Sequence, residues 1–513
     1  MSGMGSQISG RNGTILLATL GEQKTIRFVL EEIAESVKVL EASEYQLEIL
    51  VVDDSSDSEF IDYVNNSLLA LGLSGSVIEG PNMGLGAAIL SGFRFALSNQ
   101  EIDFVVNLDA DGQHDARQMP DLVRAHFATA SSITIGSRWT KGGTAPGLSF
   151  QRKILSKVSA FLLHLVGVPS TIKDPTTSFR VYGRSALDAT MREVIDFKGY
   201  AFFGGVIACA ASNGLKISEV PIRFRPRWAG ESKMKLARIA ETAAQLWAIG
   251  SRSTMIKRRN KLNAQFGMDV VTVNELSEQN HQVMVCAESK TAISLIEYLG
   301  KSLNGDILEV GAGSGSFSQA ISKVATHLVS VEPSKKFHDE LAMKLEGIRN
   351  SESFCGTLSE FVGSIDESAQ ARKFDLVLYA HVLEHISDDI SELNLARQQL
   401  FPDGKAIIVV PSMPRLYGSV DSLSGHQRRF TSKELKAVAE MAGFKVESIR
   451  YFNPIAIIPY WFVYRIIGVK SVGSGQLGLY DRIFVPLAYR MMGILGGRIP
   501  GINLIAVLRV PRD

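Results

Sequence analysis

The sequence is poor in cysteine: Cys209, Cys286 and Cys355 are the only three in 513 residues. An odd number spread so far apart suggests neither a disulfide framework nor a thiolate zinc site, and fits a reducing, cytoplasmic setting. It has no surplus of either charge. Fifty-four basic against 53 acidic residues leave a net +1. Without a basic excess there is no general pull on a polyanion, so nucleic acid is not expected as a partner. Uninterrupted apolar runs of about 18 residues, the length of a spanning helix, are missing. The nearest, Ile455–Ile467, is broken by Arg465. The opening MSGMGSQISGRNGT has no apolar stretch of signal-peptide type. The chain is therefore not expected to cross a membrane, though it can still lie on one.

What is present is an ordinary globular composition, 45% hydrophobic and 21% charged. At roughly 100–200 residues per domain the length implies two to four domains. Short apolar runs alternate with helical-length periodic stretches. Thr14–Ala18, Leu47–Val52, Val105–Leu108 and Ile133–Ile135 read as strands, and Lys24–Leu40 as a helix. The pattern restarts at Ile307–Val310 and continues through His327–Val331, Asp375–Tyr379, Lys405–Val410, Val446–Arg450 and Leu504–Val510. This is α/β patterning with largely parallel sheets. Between the halves, Ser251–Leu262 carries Arg252, Lys257, Arg258, Arg259 and Lys261 and no acid. The expected organisation is a flexible start (1–11), a first α/β domain (12–254), a linker (255–284) and a second α/β domain (285–513).

The sharpest feature of the first half is FVVNLDADGQH, residues 104–114. A strand ends in Asp109-Ala-Asp111, and ligands of open α/β sheets bind beyond strand carboxyl ends. Two carboxylates one residue apart suit a hard divalent cation bridging a nucleotide diphosphate, with Gln113 adding a neutral oxygen. A polar strand-to-loop turn is the plainer alternative. Further along are VVDDSSD (51–57), with Asp53 and Asp54 placed to meet a base or ribose, and NMGLGAAILSGFRFA (82–96), a glycine turn entering a helix. IGSRW (135–139), DPTTSFRVY (174–182) and RPRWAGESKMK (225–235) follow.

Taken in order, these motifs resemble family 2 glycosyltransferases of the GT-A fold, over residues 12–250. Within that family they look most like the dolichyl-phosphate mannose synthase and polyprenyl-phosphate glucosyltransferase group. The resemblance implies nucleotide-sugar contacts at Ala18, Leu20, Glu22, Asp53, Asp54, Asp109 and Ala110. It implies Mg²⁺ or Mn²⁺ on Asp109, Asp111 and Gln113, a diphosphate grip by Arg227 and Lys233, and an acceptor phosphate near Arg138, Arg152 and Ser156. It also implies inversion at the anomeric carbon. The first strand departs from the family's P-x-Y-N-E ending: here Ala18-Thr19-Leu20-Gly21-Glu22 keeps only the glutamate. The nucleotide base is therefore left open. A phosphate acceptor is already anionic and needs cationic positioning only, whereas a sugar hydroxyl needs a base, for which Asp174 is the candidate.

In the second half, ILEVGAGSGSFSQAI (307–321) is a strand, a tight turn with Gly311, Gly313 and Gly315, and a helix start. It is tighter than the dinucleotide fingerprint. With Glu309 before it, it resembles the first motif of class I methyltransferases, which bind S-adenosylmethionine. Glu332, at the end of the next strand, is the expected ribose partner. FCGTLSEF lacks the family's adenine-side aspartate, and Glu360 is a possible substitute. A tight turn with no ligand is the alternative. FDLVLYAHVLEHISDD (374–389) and PRLYGSVDSLSGHQRRFT (414–431) follow; the second resembles the substrate-side loop of ubiquinone-biosynthesis-like O-methyltransferases. His381, His385 and His426 are candidate bases, since imidazole titrates near neutrality. Arg428 and Arg429 either bind an anionic acceptor or form solvated surface.

Asn453–Gly501 is rich in Ile, Tyr, Phe and Met, with Trp461 and scattered cations. Such short apolar segments edged by cations suit a membrane interface or a packed helical cap. The overall expectation is a bifunctional, peripheral membrane enzyme on the cytoplasmic face. One half transfers sugar to a polyprenyl phosphate, and the other transfers methyl to a glycan or lipid. The alternative is a glycan-extending transferase with a non-catalytic docking module behind it.

Overall fold

The computed structural model describes residues 11–146, 148–194, 197, 200–226, 239–266, 299–300, 303–364, 372–461, 497 and 499–512. The chain divides into two compact units at Lys257/Arg258.

In the first unit the strands are β1 (Arg11–Thr19), β2 (Tyr45–Asp53), β3 (Gly75–Glu79), β4 (Ile102–Asp109), β5 (Ile133–Ser137), β6 (Arg180–Gly183) and β7 (Ile217–Pro221). They form one sheet in the order β3-β2-β1-β4-β6-β5-β7. The helices are α1 (Gln23–Glu41), α2 (Ser58–Leu71), α3 (Leu85–Ser98), α4 (Met119–Ala128), α5 (Phe150–Leu165), α6 (Arg184–Glu193) and α7 (Tyr200–Ser212). Central β1 is buried almost end to end, as an apolar run covered on both faces must be. Helix α1 packs Ile26, Val29, Leu30, Ile33 and Val37 onto the core, the recurrence of one helical face. The sheet is not wholly parallel: β6 runs antiparallel to both β4 and β5. Its Arg180 is fully buried and donates to the Phe203 and Pro175 carbonyls.

The second unit has β8 (Asp306–Val310), β9 (His327–Glu332), β10 (Ser351–Cys355), β11 (Phe374–Ala380), β12 (Leu400–Pro411), β13 (Lys445–Phe452) and β14 (Asn503–Arg509). Their order is β10-β9-β8-β11-β12-β14-β13, with β14 antiparallel to both neighbours. Both sheets are thus mixed, each with one reversed strand inside an otherwise parallel α/β layer.

Each sheet reverses its strand order beside its first strand, at β1/β4 and at β8/β11. These are the topological switch points at which open sheets bind ligands. The carboxyl ends there carry Thr19, Asp53 and Asp109 in one unit, and the Gly311 turn, Glu332 and His381 in the other.

The stretch expected to be a linker is helical as far as it is described: α8 runs from Ile239 to Phe266. Two of its cations are buried, not solvated. Arg252 lies 3.5 Å from the Glu193 carboxylate, and Arg259 donates to the Gln427 carbonyl. Residues 267–298 lie outside the described residues, as does most of the 453–501 insertion.

Candidate functional site

At the first switch point, Asp109 ends β4 with its side chain about two-fifths exposed. Its β1 neighbour in register is Ala18. Asp111 accepts the Gln113 amide at 3.0 Å, a tight turn in which Gly112 adopts φ +73°. The Ala110 carbonyl accepts from Thr25 Oγ1 at 2.8 Å, tying the motif to α1. Arg225 is fastened to the same motif. Its N–H donates to the Gln113 carbonyl at 2.8 Å, and its guanidinium grips Glu32 at 2.8 and 2.5 Å. Arg227 and Lys233 lie outside the described residues, but the chain that leads to them is anchored on the aspartate motif.

His114 lies beneath, with Nδ1 3.8 Å from Asp109 Oδ2. Desolvation lowers its pKa to about 4, so the ring is neutral at pH 7 and adds no cation beside the carboxylates. Two strand-end carboxylates and a buried neutral neighbour form an oxygen-rich donor set that fits a hard divalent cation.

The other expected nucleotide residues are already engaged. Asp53 is fully buried and accepts from Thr19 Oγ1 and Ser55 Oγ at 3.1 and 2.6 Å. Asp54 accepts the backbone amides of Asn82 and Gly84 at 2.6 and 2.8 Å, and so holds the glycine turn in place. Glu22 accepts the Leu20 amide at 2.6 Å, shaping the end of β1.

Two expectations need correction. Asp174 has no exposure and places both oxygens on Arg138, at 2.7 Å each, and it also takes the Arg138 backbone N–H. A carboxylate clamped in this way is not available as a base for a hydroxyl. The Arg138 fork is in turn turned inward to Asp174 and Thr176, so its main role here is to brace the 174–176 loop.

Arg152 and Ser156 sit one turn apart on α5. Trp139 Nε1 donates to Ser156 Oγ at 3.2 Å. Nothing in the sequence singles out the other residues of this helix as functional. Phe150, Ile154, Val158, Phe161 and Leu165 recur at helical spacing and are exposed; Phe150 is 78% and Leu165 68% accessible. An apolar stripe was legible in the sequence, but its exposure was not, because a core stripe has the same spacing.

In the second unit, Gly311, Gly313 and Gly315 all have positive φ (+71°, +56° and +86°). A Cβ on Gly311 would lie 2.4 Å from Val382 Cγ2, so the turn after β8 packs directly against the segment after β11. Glu332 accepts the amides of Gly313 and Ser334 at 2.8 and 2.9 Å, which puts its carboxylate at the turn. Glu309 is buried and accepts from Ser318 and Ser330 Oγ, so it braces the turn from below. Glu360 caps its own helix through Thr357. The open backbone at three glycines, with an acid at the next strand end, fits S-adenosylmethionine.

The histidines converge. His381 directly follows β11 with φ +60°, and its Nδ1 lies 3.3 Å from Glu384 Oε1. His426 Nε2 lies 3.8 Å from the same oxygen, and its Nδ1 bonds Asp421 at 2.9 Å. The His385 and His426 rings stand edge to face at 4.9 Å. Desolvation, then the neighbouring His426, lowers His385 to about 4. Glu384 lies low for a carboxylate: desolvation is the largest influence and would raise it, but the His381 hydrogen bond and the charges of His381, His426 and His385 together outweigh that.

Residues 425–428 clasp this loop. Gln427 bonds the Glu384 and His385 carbonyls, and Arg428 bonds those of Ile386 and Ser387 and pairs with Asp389. Arg429 is paired with Asp421 at 2.7 Å and lies over the Tyr460 ring. Both arginines are buried structural cations, neither solvated surface nor open anion sites.

Residues 14–190 match the family model described as glycosyl transferase family 2, and residues 285–449 match one described as a methyltransferase domain. The chain is 34% identical over 216 residues to a polyprenol monophosphomannose synthase of Mycolicibacterium smegmatis, covering 42% of this chain and 80% of that protein. It is 28% identical over 246 residues to an undecaprenyl-phosphate mannosyltransferase of Micrococcus luteus, covering 48% of this chain and 97% of that protein. Among solved structures, a DhpI–SAH complex is similar at 16% identity and TM-score 0.30, over 47% of this chain and 94% of that one. The N-methyltransferase NodS of Bradyrhizobium japonicum, solved with S-adenosyl-L-homocysteine, is similar at 11% identity and TM-score 0.31, over 47% and 100%. At such TM-scores these two likenesses carry no weight.

Proposed function

The chain belongs to glycosyl transferase family 2 and carries a methyltransferase domain behind it, and from that premise we propose two group transfers. The first moves mannose from a nucleotide sugar to a polyprenyl phosphate. The second moves a methyl group from S-adenosylmethionine to a hydroxyl of a glycan or lipid.

The observation that carries the first reading is the pairing of Asp109 and Asp111 at the β4 end with the exposed apolar stripe of α5, the helix that bears Arg152 and Ser156. A sugar donor needs the first and a lipid acceptor needs the second. The two mannosyl-lipid relatives support both sugar and acceptor. A divalent cation held by Asp109, Asp111 and Gln113 would supply charge neutralisation for the departing diphosphate. The chain's own residues do the rest. Arg152 and Ser156 position the acceptor phosphate, and Arg227 and Lys233 meet the leaving diphosphate. The acceptor oxygen bonds to the anomeric carbon as the bond to the diphosphate breaks, with inversion. An anionic acceptor needs no base, which agrees with an Asp174 committed to Arg138.

For the second transfer, the Gly311–Gly315 turn and Glu332 hold S-adenosylmethionine, which supplies an electrophilic methyl group when bound. Methyl transfer to the acceptor oxygen would release the hydroxyl proton, which His381, about one-third exposed and directly after β11, is placed to take. We place the protein on the cytoplasmic face of a membrane. The exposed α5 stripe supports a membrane surface; no described helix is long and apolar enough to cross one.

The test is label transfer from a nucleotide-mannose pool into the organic phase, with polyprenyl phosphate or polyprenol as acceptor. Transfer to the phosphate alone is expected. Transfer only to soluble glycan hydroxyls would contradict the reading.

A further inference from the structure

Glu384, His385 and His426 each offer a ligand atom, and these atoms lie within 4.8 Å of one another. We propose that they hold a divalent first-row transition metal, a second metal site besides that of the Asp109/Asp111 motif, whose open positions take the hydroxyl oxygen of the methyl acceptor.

The cluster is built as such sites are built. A histidine ligand needs its second ring nitrogen tied to an oxygen, which fixes both ring orientation and tautomer. His426 Nδ1 bonds the Asp421 carboxylate at 2.9 Å, leaving Nε2 facing Glu384 at 3.8 Å. The Gly425 backbone hydrogen-bonds the His385 ring. Asp421 is itself locked by Arg429, the Gly418 amide and the Tyr460 hydroxyl. Glu384 is fully buried, yet its Oε2 has no hydrogen-bond partner among the described residues. A buried acceptor of this kind is costly unless something completes it, and a cation does.

The two loops that supply the ligands are far apart in sequence, and a row of bonds holds them together. Gln427 N–H donates to the Glu384 carbonyl at 2.9 Å, and the Gln427 side chain donates to the His385 carbonyl at 2.7 Å. Metal–ligand bonds of about 2.1 Å require ligand atoms roughly 3–3.5 Å apart, so ligand atoms now within 4.8 Å of one another would close by up to about 1.5 Å on binding. Two imidazoles and one carboxylate select a transition metal over Mg²⁺ or Ca²⁺ and leave coordination positions open.

Location assigns the use. The cluster follows β11 directly, and Val382, two residues before Glu384, packs on Gly311 of the expected S-adenosylmethionine turn. A metal there orients an alcohol oxygen toward the methyl group and lowers its pKa, so the acceptor class is a hydroxyl. That part rests on the methyl-transfer reading. Metal binding by the cluster does not.

The experiment uses the full chain carrying Asp111→Asn, which removes the other metal motif. After loading with Zn²⁺ and desalting, this parent is expected to retain about one zinc per chain, and Co²⁺ loading is expected to give visible d–d bands. Adding Glu384→Gln, or separately His426→Gln, should weaken Zn²⁺ affinity at least 100-fold and abolish the bands. S-adenosylmethionine affinity should stay within about threefold, which shows that the fold survives. The two substitutions sit on different loops, so misfolding of one leaves the other to decide. No zinc retained by a parent that binds S-adenosylmethionine would overturn the site, as would unchanged affinity in either folded variant. Zinc bound without methyl transfer to any alcohol would leave the site standing and overturn its assigned use.

Discussion

At the scale of single residues, the buried ionisable groups make the sharpest predictions. His126 is buried beside Phe127 with Nδ1 3.1 Å from Thr134 Oγ1, and desolvation lowers its pKa to about 4. Above pH 6.5 neither the folded nor the unfolded chain protonates it. Below that the unfolded chain gains a proton that the folded one refuses, so stability falls as pH drops from 6.5 toward 4, by about 3 kcal/mol in all. His126→Gln should flatten that part of a melting-temperature profile against pH; an unchanged slope would show that the ring is not held neutral. The Arg138–Asp174 pair has the opposite character. Asp174→Asn leaves a nearly buried guanidinium without its counter-ion, and should destabilise the first unit by about 3–5 kcal/mol in chemical denaturation. A catalytic base that only takes a proton would give an inactive protein of unchanged stability. In the glycine turn, Gly311→Ala forces a Cβ against Val382 at φ +71° and should abolish S-adenosylmethionine binding in calorimetry. Gly363, which has nothing within 4 Å of an added Cβ, is the control that should tolerate alanine.

At the scale of elements, α5 is the one whose role turns on exposure. Replacing Phe150, Phe161 and Leu165 by serine removes apolar surface that is mostly exposed among the described residues, so stability should change by less than about 0.5 kcal/mol per site. Binding to lipid vesicles should be lost, and KM for polyprenyl phosphate should rise about tenfold or more. A large fall in melting temperature with unchanged vesicle binding would make α5 a packing helix. The strands themselves were legible in the sequence. Apolar runs such as Ile307–Val310 and Lys405–Val410 are β8 and the heart of β12, because a strand covered on both faces has no polar positions to interrupt it. Antiparallel β6 and β14 were not distinguishable, since direction depends on where the chain returns and not on local composition. Nor was the helical state of Ser251–Leu262 legible. Its cations look solvated until Glu193 and the Gln427 carbonyl are brought to them by tertiary structure.

At the scale of the whole molecule, the chain joins a family 2 glycosyltransferase to a methyltransferase domain, each unit with its own sheet, core and switch-point site. The residue types at both sites were readable from spacing: Asp109 and Asp111, and the three glycines. Their working partners were not. Asp54 holding the Asn82–Gly84 turn, Glu309 bracing two serines, and Glu384 drawing His381 and His426 together all depend on contacts made after folding. Two separate sites imply separable activities. Asp111→Asn should leave S-adenosylmethionine affinity unchanged, and Gly311→Ala should leave sugar transfer unchanged.

The most direct test of the central claim is a mass spectrum of the lipid extract. The full chain is incubated with polyprenyl phosphate, Mg²⁺ or Mn²⁺ and a pool of nucleotide sugars, with Asp111→Asn run alongside. The account predicts a polyprenyl phosphate carrying one added hexose with the wild type, and only the starting lipid with the variant. The same lipid product from both proteins, or none from a wild type that binds the nucleotide sugar, would contradict it.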